Sequence, residues 1–199
     1  MWHNAVDSKL LELRYGHMIG FISLTRDRDG GEVYPDPETG LPRMKYEVSE
    51  FDRENTMVGV QALAKLCYVA GAKEIRACIA GVAPFLTDQS KYDASGVSPL
   101  DDGKKVKDPQ LEDPRFAAWL LELRQMGNAV PEAAWQTAHQ MSTCRMGATA
   151  DDGVVDMMGR VWGKKGLYVA DSSVMPSASG VNPMITTLAL ADWISRGLV

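Results

Sequence analysis

The chain has 199 residues, 45% of them hydrophobic and 24% charged, with a formal net charge of -5 at pH 7. That is enough apolar material for one sizeable globular domain and too much for a peptide module. An acidic balance without a long basic stripe argues against electrostatic capture of nucleic acid or of an acidic membrane surface.

The first residues, from Met1 to Lys9, have neither the basic region nor the apolar core of a signal peptide, and no apolar run is long enough to span a bilayer. Cys67, Cys78 and Cys144 lack the paired spacing of a zinc site or a disulfide scaffold. Reduced thiols and an intracellular, soluble chain are therefore expected.

In chain order, Met18, Ile19, Phe21, Ile22 and Leu24 suggest a strand over 16–25, followed by a charged turn over 26–31 that closes on Gly30 and Gly31. A short strand over 32–34, a proline-bounded break over 35–42 and an alternating, half-buried strand over 43–48 complete an antiparallel meander. Ser49 then reads as an N-cap with an acidic residue three places on at Asp52. Met57, Val60, Leu63, Ala64 and Cys67 fall at helical spacing until Gly71. Residues 74–80 return as a strand, with Ile75, Ala77 and Ile79 on one side and Cys78 on the other. The stretch 81–109, rich in Pro, Gly and polar residues, is expected to be a lid or a mobile loop. Asp113-Pro114 opens a second helix with Phe116, Trp119, Leu120 and Leu123 inward and Gly127 as its end signal.

The last third carries the most specific wording. It runs His139-Gln140-Met141-Ser142-Thr143-Cys144-Arg145-Met146-Gly147, then Val154-Val155-Asp156, then Gly166-Leu167-Tyr168-Val169-Ala170-Asp171-Ser172-Ser173, then Gly180-Val181-Asn182-Pro183-Met184-Ile185-Thr186-Thr187. Residues 167–170 suit a buried strand. Asn182 is a good N-cap, Pro183 fits the first helical position, and 185–194 continues as a buried apolar helix. The N–H groups at the start of that helix favour negative charge. A dinucleotide fingerprint is missing: Gly159, Gly163 and Gly166 have the wrong spacing, and a strand rather than a helix follows them.

These four segments, in this order, resemble the C-terminal end of the glucose-methanol-choline (GMC) family of flavin-dependent alcohol oxidoreductases, with wording most similar to the long-chain (fatty) alcohol oxidases. A weaker likeness runs upstream through Arg26-Asp27-Arg28-Asp29-Gly30 and Val33-Tyr34-Pro35-Asp36-Pro37 to Ala64-Lys65-Leu66-Cys67-Tyr68, and resembles the family's substrate-side domain. The resemblance implies an α+β fold, an antiparallel sheet with packed helices of the GMC C-terminal type, lacking the N-terminal Rossmann part that holds the ADP moiety of FAD. It divides the chain into a substrate-side portion, 1–135, and a catalytic, flavin-facing segment, 136–199.

Oxidising an alcohol with a flavin requires a base for the hydroxyl proton, a hydrogen bond that fixes the oxygen, and positive potential where the reduced ring gathers charge. The resemblance makes His139 the base and places Asn182 in the partner position, with Asp171, Ser172, Asn182, Pro183 and Met184 against FAD. A lone histidine is more often structural, as expected for His3 and His17, and Asn182 is explained equally well as a helix cap. Ser172, Ser173, Ser177 and Ser179 lack the flanking glycines of a nucleophile elbow, so hydrolysis is disfavoured, and His139 with Cys144 makes no metal site. Trp162, Tyr168, Met175 and Trp193 suit either an aliphatic pocket or a core, and core is expected for Trp193.

The implied partners are a small alcohol of long-chain aliphatic type, oxygen or another electron acceptor, and a separate N-terminal FAD-binding half; the family likeness also admits membrane association or a peroxisomal address. The competing expectation is a non-catalytic fragment or interaction module that docks on a separate flavin-binding chain.

Overall fold

The computed structural model describes residues 4–87 and 113–198, so most of the expected lid over 81–109 lies outside the described residues. Within them the chain forms α1 (Ala5–Glu12), β1 (Glu32–Pro35), β2 (Pro42–Lys45), α2 (Glu50–Val69), β3 (Glu74–Ile75), β4 (Phe85–Leu86), α3 (Pro114–Met126) and α4 (Met184–Arg196). The fold is α+β, as expected. The sheet differs: among the described residues β1 pairs only with β2 and β3 only with β4, giving two antiparallel ribbons in place of one meander. Two compact units result, one of Met1–Ser23 with Arg53–Trp135, the other of Leu24–Asp52 with Gln136–Val199.

In the first unit, α2 ends as its glycine predicts. Gly71 adopts φ 85°, which costs a residue without a side chain little, and the turned chain lets the Ala72 N–H reach the Cys67 carbonyl at 2.9 Å and the Gly71 N–H reach that of Tyr68 at 3.1 Å. Otherwise orphaned carbonyls are thereby satisfied. At the start of α3 the Asp113 side chain accepts from the Arg115 N–H at 3.0 Å, and Pro114 occupies a position where no N–H is needed.

Phe116, Trp119, Leu120 and Leu123 of α3 are buried against Met57, Ala64 and Tyr68 of α2 and against Ile75, Ile79 and Phe85. The centre is aromatic: Phe116 stacks on Tyr68 at 4.6 Å between ring centroids and meets Phe85 edge-on at 5.0 Å. The Trp119 indole N–H is satisfied by the Ala83 carbonyl at 2.7 Å.

The expected strand over 74–80 shrinks to β3 and an isolated bridge from Ile79 to Ala133, although Ile75 and Ile79 do face inward. The expected strand over 16–25 is absent. A 3-10 turn at Tyr15–His17 leads into irregular chain with no ladder partner among the described residues, and Ile19 is 79% exposed. An apolar run cannot hold a strand unless another edge accepts its hydrogen bonds.

In the second unit, both strands of the β1–β2 ribbon are exposed, so the alternation in 43–48 does not mark a half-buried strand. The sequence-predicted cap at Ser49 is present. Its hydroxyl accepts from the Asp52 N–H at 3.1 Å and donates to the Asp52 carboxylate at 2.9 Å.

Asp52 is 1% exposed and also accepts from the Arg28 N–H at 3.0 Å and the Asp29 N–H at 3.2 Å, which fixes the charged turn against the helix start. Burial pushes its carboxyl pKa up, but these donors outweigh burial and hold it below its ordinary value. Beside it, burial raises the pKa of the Tyr46 phenol to about 12, with the Asp27 carboxylate that accepts its hydrogen bond adding to the shift.

Two stability predictions follow from these contacts. Asp52→Ala strips the Arg28 and Asp29 N–H groups of their acceptor and should cost about 1–3 kcal/mol at neutral pH. Because the folded pKa is lowered, the stabilisation is present above the unfolded value of about 4 and is lost as pH falls through the folded one. Urea midpoints of the parent and the variant should therefore stay apart from pH 7 down to about pH 4 and draw together only as the pH is lowered further. In the first unit, Phe116→Ala should cost about 3–5 kcal/mol in the same titration, read by tryptophan fluorescence.

Candidate active site

The segment headed by His139 is held in place by backbone. The N–H groups of Ser142, Cys144 and Met146 donate to the carbonyls of Ser172, Ser173 and Val174 at 3.4, 3.0 and 2.9 Å. The Ser172 hydroxyl donates to the Gln140 carbonyl at 3.0 Å, one residue from half-buried His139. Asp171 caps the 3-10 turn Ser172–Val174, its carboxylate accepting from the Ser173 N–H at 2.8 Å. The structure thus brings the His139 segment together with Asp171 and Ser172.

Beneath this contact lies a small core in which Val155, Val174 and Ile194 are fully buried, with Met146, Val161, Val169 and Leu190 packed around them. Close backbone approach makes it possible. A Cβ on Gly159, whose φ is 71°, would stand 2.6 Å from the Val169 carbonyl oxygen and 2.9 Å from the Ile194 side chain. One on Gly147 would meet the Gly153 nitrogen at 2.5 Å, so both positions require glycine.

The expected buried strand over 167–170 is reduced to a single bridge between Arg160 and Tyr168, and Leu167 is exposed. The chain here is folded by turns around the core, so no long ladder forms.

Asn182, Pro183 and Met184 reach the same unit by a separate route. Helix α4 begins at Met184, with Pro183 buried in the cap position and no side-chain hydrogen bond closing the cap. The helix therefore starts one residue later than its sequence suggests, and Asn182, exposed just outside it, is not the N-cap. Proline in that place contributes its carbonyl, which accepts from the Thr187 N–H at 2.8 Å and the Thr187 hydroxyl at 3.0 Å. Among the described residues no hydrogen bond joins Asn182 to His139.

Helix α4 is also not the buried helix its composition predicts: only Ile194 is buried, while Met184 is 68% and Ile185 70% exposed. Trp193, expected in the core, is 57% exposed and spends its indole N–H on the Met157 carbonyl at 3.2 Å. Of the four candidate pocket residues, Met175 alone is buried.

Two residues escaped the sequence reading. Arg26 donates from its guanidinium to the Ser177 hydroxyl at 2.9 Å, and Gly180 lies so close that a Cβ there would stand 3.0 Å from the Arg26 Cβ. This contact ties the charged turn to the loop that leads to Asn182. The wording of the turn was visible in sequence, but its reach across 151 positions was not. Ser142 has a left-handed backbone, φ 74°, and a hydroxyl shielded from solvent without a hydrogen-bond partner. A serine flanked by Met141 and Thr143 gives no sign of either property.

Comparison with known proteins gives these segments a context. The GMC oxidoreductase family profile matches residues 20–191. Over its whole length the chain is 32% identical to the long-chain-alcohol oxidase FAO4B of Arabidopsis thaliana, of which it covers 24%. It is 32% identical over 98% of its length to the long-chain-alcohol oxidase FAO1 of the same plant, covering 23% of that protein. Over 56 residues, 28% of the chain and 10% of the relative, it is 45% identical to a cholesterol oxidase of Acinetobacter baumannii. The chain thus spans about a quarter of the length of the two plant relatives. With the match running from before β1 into α4, the chain belongs to the GMC oxidoreductase family.

Proposed function

We propose that the chain is the C-terminal portion of an FAD-dependent alcohol oxidoreductase that converts primary alcohols, long-chain aliphatic ones foremost, to aldehydes. The observation that carries this reading is the backbone contact between the His139 segment and the Asp171–Val174 turn, which supports two chain-distant motifs of an oxidoreductase family acting at one place. The preference for long chains rests on the names of the plant relatives.

The residues present fit a flavin. Ser142 offers a shielded hydroxyl without a partner, beside Ser172. The first N–H groups of α4 have no side-chain cap competing for them, and a helix N-terminus favours the negative charge that a reduced ring carries. Asp171, Ser172, Pro183 and Met184 would hold the cofactor together with these groups, and sequence outside the 199 residues would hold its ADP part. FAD, when bound, supplies the acceptor for the hydride that leaves the alcohol carbon.

The chain's own residues do the rest. His139 takes the hydroxyl proton on an imidazole nitrogen. Asn182, released from capping, directs its amide N–H at the substrate oxygen and holds it while negative charge develops there. Oxygen or another electron acceptor closes the cycle. A second reading, a module that docks on a separate flavin-binding chain, is favoured by the apolar side chains that α4 leaves exposed.

Alone, the 199-residue chain should neither retain FAD nor oxidise alcohols. Visible absorption after incubation with excess FAD, followed by assay with hexadecanol and an artificial acceptor, tests this, and stoichiometric flavin with turnover would refute it.

In the longer flavin-loaded enzyme, Asn182→Asp should slow anaerobic flavin reduction by ~10²–10³ with the melting temperature unchanged, because the side chain caps no helix. His139→Asn should slow it by roughly 10²–10⁴. Normal reduction rates in folded variants would remove these residues from the mechanism.

A further inference from the structure

Ser142 combines two features that cost stability separately. Its φ of 74° lies in the left-handed region, where a Cβ crowds the backbone and glycine is the ordinary occupant. It is the one residue other than glycine with a positive φ among the described residues. Its hydroxyl is shielded from solvent and unpartnered, and a buried donor left unpaired forfeits the hydration it had in the unfolded chain. Replacing it by glycine would remove both costs at once. Backbone strain and an orphaned polar group at one residue are what a binding group held ready for its ligand looks like.

The position says which ligand. Ser142 stands three residues after His139, and its own N–H donates to the carbonyl of Ser172, in the turn capped by Asp171. Resting on the flavin reading above, we infer that Ser142 is a cofactor-binding residue, its hydroxyl held ready to exchange a hydrogen bond with the bound flavin. The energy stored in the left-handed backbone is then offset only in the loaded protein. The site gains a polar contact that glycine could not supply.

The test compares Ser142→Gly, which relieves the backbone and removes the hydroxyl, with Ser142→Ala, which removes the hydroxyl alone. Each is made in the longer enzyme, and melting temperatures are measured without and with FAD, alongside the FAD dissociation constant and the visible spectrum of bound flavin. Ser142→Gly should melt higher than the parent when flavin-free. Both variants should bind FAD roughly five- to tenfold more weakly, show a smaller FAD-induced rise in melting temperature and shift the flavin absorption band.

If FAD affinity and spectrum stay within about twofold of the parent in both variants, the inference fails while the flavin reading stands. The same holds if only the alcohol KM moves, which would assign the hydroxyl to the substrate. A parent enzyme that shows no response to FAD would overturn both.

Discussion

The backbone hydrogen bonds from Ser142, Cys144 and Met146 to Ser172, Ser173 and Val174 are the constraint on which the C-terminal third depends. They fasten an irregular segment that has no sheet of its own, and they do so over a core whose fully buried members are Val155, Val174 and Ile194. So small a core leaves little room for substitution. That is why Gly159 and Gly147 sit where any Cβ would strike backbone within 2.6 Å. The longest of the three bonds, 3.4 Å, is at Ser142, where the chain also turns left-handed.

Buried carboxylates organise the two helix starts from which the rest is built. Asp113 spends its oxygens on the Arg115 N–H and on the Arg115 guanidinium at 3.0 Å, and accepts from the Tyr68 hydroxyl at 3.4 Å. Asp52 gathers backbone donors from a turn more than twenty positions upstream. In each case a charge removed from water is kept by directed donors, the condition under which a buried carboxylate helps a fold. The turn that Asp52 holds is the one that presents Arg26 to Ser177, so a capping interaction at α2 also shapes the loop ahead of Asn182.

Family membership and exposed apolar surface point the same way. Met184, Ile185, Leu188 and Trp193 cover α4 with hydrophobic side chains that the described residues leave exposed, and the chain corresponds to about a quarter of its plant relatives. Scattered single residues of this kind need no explanation, but several on one short helix do.

What the sequence by itself determined was whatever depends on a few neighbouring residues. The Ser49 and Asp113 caps, the glycine stop at Gly71, the inward face of α3 and the family wording around His139 were all legible, because capping, helical periodicity and turn chemistry act within four or five positions. Tertiary structure alone decided the rest. Whether 16–25 or 167–170 became strands depended on a partner edge that the other described residues do not supply. Asn182 and Pro183 each suit a helix start, and packing gave the cap position to Pro183. Trp193 had to lie on the outward side of α4 once Ile194 took the core. The left-handed backbone of Ser142 and the reach of Arg26 to Ser177 come from contacts between residues 30 and 151 positions apart, a distance at which local preference carries no information.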